Sequence, residues 1–302
     1  MAGVIVSGNF AKDLLPNHAT WFGAAYNNHP TLYTRMFEMS SSDWGTEEDI
    51  LMSGFGLARE RAQGESMTYD SHSQGAQIRY THAELVKGYI ISRIAIEDGK
   101  STTVEKARAE ALKKSMMDSV EILAANVINR AFNSSYVGYD GVELVSASHV
   151  AKAGTQSNLL ANNPTFSEAA LEDMIIQLAS LKDDVGLYIA ASPKQLLIPH
   201  ALQFEVERLL RSKGRVGTAN NDANVVGDMF GSLDVVVNPY FTSATQWLLK
   251  TDIKHGLKGF IRRPFEFTDD HDGDTDNAKF KASWRGSFGF TDYRCVIGSS
   301  GT

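Results

Sequence analysis

The sequence predicts a mixed α+β protein, and three features of the chain lead to that class. Apolar residues recur at spacings of three and four between Thr103 and Phe132, which is typical of a long amphipathic helix. Residues 57–80 are polar and contain glycine, with the alternation of a β-hairpin. Helices and strands follow one another without the regular βαβ alternation of a parallel sheet.

Length and composition limit the possible functions. The 302 residues allow one large fold with excursions or two joined domains, and the 43% hydrophobic and 22% charged content is that of a soluble globular protein. The net charge of -7 argues against a protein that binds nucleic acid by neutralising phosphates. Cys295 is the only cysteine, which excludes an intramolecular disulfide. We expect no signal peptide and no membrane contact, because no apolar run is long enough.

The N-terminal segment, residues 1–45, mixes aromatic side chains with Asn, His and Ser, and its only helical pattern lies between Asp13 and Tyr26. We interpret it as an extended arm with a short helix. Its aromatic residues need a surface elsewhere in the chain or on a neighbouring subunit. A packed N-terminal lobe is the alternative interpretation.

The segment 57–80 carries alternating apolar residues, at 67 and 69 and at 78 and 80, on either side of a polar tip at 70–74. This pattern predicts a hairpin. A two-stranded ribbon with so few apolar side chains is marginal alone, so we expect it to lie on another surface. The β-branched residues that follow predict a strand over 85–97.

The long helix is predicted over 103–132, with Thr102 as N-cap and Glu105 as its capping-box partner. Thirty residues correspond to about 45 Å at the standard helical rise, over twice the usual length in globular proteins. Polar residues and glycine at 133–141 end the helix. The apolar positions that define one helix face are 104, 107, 111, 112, 116, 120, 123, 124, 127, 128 and 131.

The second half of the chain predicts shorter elements. Ser167 begins an amphipathic helix over 166–182. The remaining predicted elements are a buried strand at 186–191, a helix at 194–212, a loop at 213–231, strands at 233–237 and 247–249, and a strand pair at 259–267 and 279–296 joined by an acidic loop.

Three patterns have a possible chemical meaning. Residues Gly99 to Thr102 match the last positions of a phosphate-binding loop motif. However, Ile94 stands where the first glycine of that motif belongs. The run from Asp269 to Asp276 resembles a calcium loop, yet Thr275 and Lys281 occupy the required Gly and Glu positions, which favours a solvated turn. The eight histidines show no metal-binding spacing. We therefore assign no catalytic, cofactor-binding or metal-binding residue, and keep a nucleotide- or metal-dependent soluble enzyme as a less favoured alternative.

Taken in order, several segments make the chain resemble the major capsid proteins of tailed bacteriophages, which have the Hong Kong 97-type fold, and among them the Mu-type major head subunits. The resemblance runs from about Thr31 to Gly298. The segments that carry it are 36–56, the hairpin leading into Tyr80-Thr81-His82, the helix end Asn129-Arg130-Ala131-Phe132, and 140–149, 154–160, 197–210 and 284–298.

The resemblance implies a division into parts: an N-terminal arm at 1–45, an extended loop with its flanks at 46–85, a peripheral domain at 86–185 built on the spine helix 103–132, an axial domain at 186–245, and return strands at 246–302. The extended loop would lie across a neighbouring subunit, and the loop 213–231 would face the axis of the capsomer. The expected intersubunit contacts are Arg59, Arg61, Glu65, Tyr69, Arg79 and Tyr80.

The same resemblance implies a structural role without catalysis or cofactor. Copies would form hexamers and pentamers of an icosahedral shell around double-stranded DNA, without sequence-specific contacts. We expect a separate scaffold protein because the chain begins close to the arm, and we also expect portal and head-completion or decoration proteins. The subunit would belong to the virion and assemble in the host bacterial cytoplasm. An encapsulin-like nanocompartment shell, which shares the fold, is the close alternative.

Overall fold

The computed structural model describes residues 31–71, 74–98, 101–214 and 222–302. The predicted helix at 13–26 lies outside them. In the described part of the chain, the strands form two four-stranded and two two-stranded sheets. None of the helices described is long and apolar enough to span a bilayer.

The elements of the first half lead from a short helix to one long helix. In chain order they are α1 (Tyr33–Met36), β1 (Glu38–Ser41), β2 (Thr46–Met52), β3 (Gln74–Thr81), β4 (Ala83–Ile91), α2 (Arg93–Asp98) and α3 (Ser101–Asn129).

The elements of the second half are shorter, except for two long strands. They are β5 (His149–Ala151), β6 (Gly154–Gln156), α4 (Glu168–Ala179), β7 (Pro193–Ile198), α5 (Gln203–Arg211), α6 (Val225–Phe230), β8 (Asp234–Val237), β9 (Trp247–Thr251), β10 (Leu257–His271), β11 (Ala278–Phe290) and β12 (Val296–Ser299).

The first sheet has the order β1-β10-β11-β4, with β1 parallel to β10 and the other pairs antiparallel. Helix α3 packs against β11 and β4 and buries Leu112, Met116, Val120 and Ile128. Trp284 from β11 is buried in the same cluster, the first core. Since α3 contributes one apolar stripe from Leu112 to Ile128, it acts as the spine on which the first sheet is built.

The second sheet has the order β12-β9-β7-β8 and lies between two cores. Leu197 and Leu248 face the first core. Leu196 and Trp247 face the second core, which α4 and α5 complete. Because strand side chains alternate between faces, one face of this sheet belongs to the first core and the other face belongs to the second core. The sheet therefore connects the two cores.

The predicted hairpin exists, but with a different partner strand. β3 pairs antiparallel with β2, from Thr46 opposite Thr81 to Met52 opposite Gln74, and not with residues 67–69. The correction has a physical cause: β2 offers a seven-residue strand, whereas 53–71 contains the turn at Gly64, whose φ is +91°. The result is a ribbon, β2–β3, with a long loop whose described residues are 53–71.

The spine helix begins at Ser101 and ends at Asn129, so the predicted range 103–132 is shifted by two or three residues. The predicted N-cap Thr102 is therefore inside the helix, and the side chains of Thr102 and Glu105 lie outside the described ones. After Asn129 the chain turns, with the Ala131 N–H donating to the Ile128 carbonyl and the Val145 N–H donating to the Ala131 carbonyl.

The predicted strand 85–97 is shorter than expected. It ends at Ile91, because the Ser92 hydroxyl accepts from the Ala95 N–H and begins helix α2. Arg93 and Glu97 then form an i,i+4 ion pair on that helix.

The predicted strand at 186–191 is wrong. Gly186 and Ala190 have φ of +93° and +34°, which an extended strand does not allow, so this stretch is a turn held by one bridge from Tyr188 to Lys182. Helix α4 confirms the prediction of Ser167 as N-cap, since its hydroxyl accepts from the Ala170 N–H at 3.2 Å.

The predicted helix at 194–212 is wrong in its first part. Residues 193–198 form β7, in the middle of the second sheet, and the helix starts only at Gln203. A strand buried on both faces gives a continuous apolar run, which periodicity cannot separate from a buried helix. Pro199 ends the strand.

Two further boundaries differ from the prediction. The loop predicted at 213–231 contains α6, whose N-cap Asn224 accepts from the Gly227 N–H. The last predicted strand, 279–296, ends at Phe290. A 3₁₀ turn at Tyr293–Cys295 then takes the chain into β12 of the second sheet.

Candidate assembly surface

The acidic residues that resemble a calcium loop form ion pairs within the subunit. Asp270, Asp272 and Asp276 lie at the β10–β11 turn, where Lys281, Lys279 and Arg93 respectively lie within 2.9 Å. Hydrogen bonds from these cations lower the pKa of all three carboxyls. Across the described residues, no group of three or more His, Cys, Asp or Glu side chains could hold a metal ion.

The loop 53–71 is exposed at every residue from Gly54 to Ser71, and it has a defined base. Asp70 closes this base, since its carboxylate accepts from the backbone N–H groups of Gly56 and Ser71, both at 2.9 Å. These two bonds, to Gly56 first, lower the pKa of Asp70. Near the tip, the Ala62 N–H donates to the Glu65 carboxylate and the Glu65 N–H to the Ala62 carbonyl. The loop is therefore tied at both ends.

Apolar side chains project from this loop into solvent. Leu57 is 81% exposed and Tyr69 is 90% exposed, and Phe55 and Met67 are more than half exposed. Apolar groups held on one loop and away from the core of their own subunit mark an interaction surface. The exposed loop surface, defined as residues 55–69, is the strongest candidate for contact with a second molecule.

The structure brings most of the predicted contact residues to this surface. Arg59, Arg61, Glu65 and Tyr69 lie on the loop and are exposed. Arg79 lies at the ribbon and is exposed, with its guanidinium 3.9 Å from Glu48.

The structure corrects the prediction that Tyr80 is an intersubunit contact. Its side chain is only 4% exposed, and its ring packs edge-on against Phe260 with the centroids 5.0 Å apart. It belongs to the interior of its own subunit. On a strand, neighbouring residues point to opposite faces, so Arg79 and Tyr80 could not both face a neighbour.

The root of the ribbon is held by a buried polar chain that the sequence pattern did not reveal. The Tyr80 hydroxyl lies 2.6 Å from the Thr291 hydroxyl, which donates to Asp49 at 2.7 Å. Lys258 then donates to Asp49 at 2.6 Å. Burial raises the pKa of Tyr80, which stays a neutral hydrogen-bonding group. Asp49 sits in a charged run, Glu47-Glu48-Asp49, and nothing in that run marks it as the anchoring residue.

His82 fixes the second side of this root. Its Nε2 lies 3.0 Å from the Ser42 hydroxyl and its Nδ1 lies 3.0 Å from the Ser287 hydroxyl. Burial, followed by the charge of Arg285, lowers the pKa of His82. A neutral ring can exchange hydrogen bonds with two hydroxyls, because each hydroxyl can donate or accept.

The segment that leads out of the N-terminal arm is also anchored. The buried Glu121 on α3 accepts from the Leu32 N–H at 2.7 Å and from the Tyr33 N–H at 3.1 Å. Burial raises the pKa of Glu121 despite these two bonds. Lys250 donates to the Met36 carbonyl at 2.5 Å. Residues 32–37 are thus part of the first core. In the sequence, this anchoring is indicated only by a glutamate among the apolar residues of the long helix.

A groove of about 410 Å³ opens between α3 and the β10–β11 pair. Met116 and Ala282 form its floor, and Phe265 and Phe267 line its side with 42% and 51% of their surfaces exposed. Together with the exposed loop surface, it gives the subunit a second apolar region open to solvent.

A family model described as phage capsid protein matches residues 76–299, from within β3 to the end of β12. None of the curated protein sequences matches this chain significantly.

Solved structures extend the likeness over nearly the whole chain. A chain of Mycobacterium phage Patience superposes with a TM-score of 0.60 at 11% identity, covering 99% of this chain and 92% of that one. The capsid of a native GTA particle gives a TM-score of 0.58 at 14% identity, covering 97% and 98%. The capsid of Myoviridae phage XM1 gives 0.54 at 10% identity, covering 100% of both chains. At these identities the likeness shows a common fold.

Proposed function

This chain belongs to the phage capsid protein family and is a structural subunit of a capsid shell, and we propose that its copies form the hexameric and pentameric rings of an icosahedral phage head. It has the Hong Kong 97-type α+β capsid fold. The family disfavours the encapsulin alternative.

The exposed loop surface carries this proposal. It presents Leu57, Met67 and Tyr69 to solvent at the end of a ribbon whose root is firmly fixed. We propose that it lies across the neighbouring copy, with Arg59, Arg61, Glu65 and Arg79 making polar contacts at the rim. A surface that meets a different surface on the next copy produces a ring when the rotation closes.

The two cores support an assignment of the parts. The first core, on the spine helix α3, corresponds to the peripheral domain of such subunits. Residues 186–245, with α5 and α6, would form the axial domain, and the segment 213–231 would then face the ring axis. Helix α4 lies within the peripheral range 86–185, although it packs in the second core. The segment 1–45 would act as the arm, fixed to the subunit through Glu121.

The chemistry of the chain fits a container for double-stranded DNA. A net charge of -7 gives weak or repulsive walls, so packaged DNA is not held by phosphate contacts. We propose that the subunit has no catalytic activity or cofactor, that it assembles in the host cytoplasm with a scaffold protein, and that portal and head-completion or decoration proteins complete the virion.

The loop is tested by replacing residues 57–69 with a short Gly-Ser linker, which the Gly56–Asp70 contact allows because the two ends already meet. The replacement ends before β3, so this strand keeps all of its residues. We expect a folded subunit with nearly unchanged melting temperature that forms no closed shells when expressed with its scaffold, as seen by negative-stain microscopy.

A milder variant and a matched control sharpen this test. Leu57→Ser with Tyr69→Ser removes two exposed apolar groups and should reduce the yield of shells strongly. Ile176→Ser removes an apolar group that is also mostly exposed, 68% accessible on α4, and should leave assembly unchanged. Normal closed particles from the loop-replacement variant would overturn the proposal.

A further inference from the structure

A buried polar network joins the excursion at 140–160 to the C-terminal strand. His149 is fully buried, with Nδ1 2.5 Å from an Asp140 carboxylate oxygen and Nε2 3.0 Å from Asn158 Oδ1. The imidazole lies flat on the Tyr293 ring, with the centroids 3.7 Å apart and the planes 1° apart. Buried polar groups of this kind cost stability unless each finds a partner.

The orientation of the Asn158 amide is fixed by its other bonds. Its Nδ2 faces three backbone carbonyls, those of Leu144, Tyr293 and Val296, at 2.7 to 3.1 Å. Its Oδ1 accepts from the Ser146 N–H at 2.8 Å. A flipped amide would place its NH₂ against that N–H and its oxygen against three carbonyls. Asn158 Oδ1 is therefore an acceptor, and His149 Nε2 must carry a hydrogen.

This requirement sets the proton count of the Asp140–His149 pair. With Nε2–H given to Asn158, the bond between Nδ1 and the carboxylate needs one more hydrogen, either on the ring or on the carboxyl. In both arrangements the pair holds one proton more than a neutral imidazole beside a carboxylate does. The proton belongs to the pair rather than to one residue, and it makes the buried pair neutral overall.

The charged and titratable groups around the pair come from three other segments. Tyr293 and Arg294 lie on the 3₁₀ turn, and Tyr139 stacks on Tyr293 with centroids 6.4 Å apart. Arg294 is compensated by Asp292 and by Asp184, whose oxygen lies 2.5 Å from its guanidinium. Since Arg294 already has two carboxylates, the Asp140–His149 pair must balance its own charge.

The network sits at the joint between the excursion and the second sheet. The Gly298 N–H donates to the Asn158 carbonyl, and the Leu160 N–H donates to the Gly298 carbonyl. The Asn158 side chain adds its bonds to Tyr293 and Val296. Opening this joint would release β5 and β6 from β12, which also forms part of both cores.

We propose that the Asp140–His149 pair is a proton-dependent latch that holds the segment 140–160 on strand β12. The docked segment binds one proton that the open segment releases. Linkage then requires that docking is favoured as pH falls and that opening becomes easier as pH rises, by at most tenfold in the opening constant for each pH unit. The shell subunit would thus have one internal joint that alkaline conditions loosen.

Native-state amide exchange of the free subunit tests the latch. After correction for the intrinsic pH dependence of exchange, opening of residues 146, 158, 160 and 298 should increase by several-fold for each pH unit over part of the range from 6 to 9. Amides of the spine helix should not show this slope. A wild-type subunit without the slope would overturn the proposal.

Asp140→Asn is the decisive variant. An asparagine amide can donate to Nδ1 while Nε2–H still donates to Asn158, so every bond is kept with a neutral ring and no extra proton. Protection at the four amides should remain and its pH slope should disappear. Asp184→Asn, which removes a nearby carboxylate from Arg294 instead, should keep the slope. A slope that persists in Asp140→Asn would refute the latch.

Nitrogen NMR of the His149 ring gives an independent readout should Asp140→Asn fail to fold. The native wild-type ring must carry hydrogen on Nε2 in either proton arrangement. A ring with Nε2 unprotonated in the native subunit would overturn the proposal directly.

Discussion

The two ends of the β2–β3 ribbon differ in how their side chains are used. At the root, Tyr80, Thr291 and Asp49 form a chain of short hydrogen bonds, with Lys258 compensating the carboxylate. In the loop 53–71, large apolar side chains are exposed, and the backbone contacts at Asp70 and Glu65 only shape the loop. The root stabilises the subunit, whereas the loop offers surface that the subunit itself does not use.

This difference teaches where assembly and folding are separated in the chain. A ribbon with a flexible root and exposed apolar side chains at its tip would present those side chains in many directions. A fixed root presents the same groups in one direction, so that ordering the ribbon on a neighbour costs less entropy. Substitutions at the two ends should therefore affect different measurements.

The largest contrast is expected from one substitution made at each end. Tyr80→Ala removes a buried ring that packs on Phe260 and fills the space beside Gly289, and should lower the free energy of unfolding by about 3 kcal/mol or more. Tyr69→Ala removes a ring that is 90% exposed and should change it by no more than about 0.5 kcal/mol. Urea unfolding of the free subunit measures both. Equal losses would show that the loop packs on its own subunit.

The sequence predicted the parts of the fold that depend on local periodicity. Helix α3 was located within three residues at each end and α4 with its N-cap Ser167, because amphipathic spacing and capping are local signals. The partner of β3 was missed, because pairing with β2 depends on residues more than twenty positions away. The pattern at 193–198 predicts helix instead of β7, because a strand buried between two cores shows no alternation of apolar and polar residues.

The sequence alone predicted the polar loop but not the buried bonds that depend on distant residues. Composition marked the polar loop, and Arg59, Arg61, Glu65 and Tyr69 are exposed there. Tyr80 is buried, because strand alternation places its side chain on the face opposite to that of Arg79. The bonds of Asp49 and of His149 could not be predicted, since their partners come together only in the folded chain.

An intermediate effect is expected at the ion pair of the root. Asp49→Asn keeps the shape of the side chain but removes the charge that Lys258 faces at 2.6 Å, where both groups are mostly buried. A loss of about 1–2 kcal/mol in unfolding free energy is expected. Asp270→Asn breaks a bond of similar length to Lys281, but both side chains there are more than half exposed, so solvent screening should make the loss much smaller than for Asp49→Asn. Similar losses for the two variants would mean that burial does not decide the strength of the root.

The smallest effect is expected at the second fixed point, Glu121, and it appears as a pH dependence. Burial raises the pKa of this carboxyl above its ordinary value of 4.5, so the native chain keeps a proton that the unfolded chain has already released. The stability contributed by Glu121 is then fully present below pH 4.5 and is lost as pH rises through the raised native pKa.

Glu121→Gln separates this titration from the rest of the molecule. Gln keeps an oxygen that can accept from the Leu32 or the Tyr33 N–H but cannot ionise. Urea unfolding between pH 4 and pH 8 should show wild type losing stability relative to the variant as pH rises. Glu97→Gln, on an exposed ion pair with Arg93, should show no such relative loss. If wild type instead gains stability relative to Glu121→Gln with rising pH, the two backbone bonds outweigh burial, and the charged carboxylate itself fixes Leu32 and Tyr33.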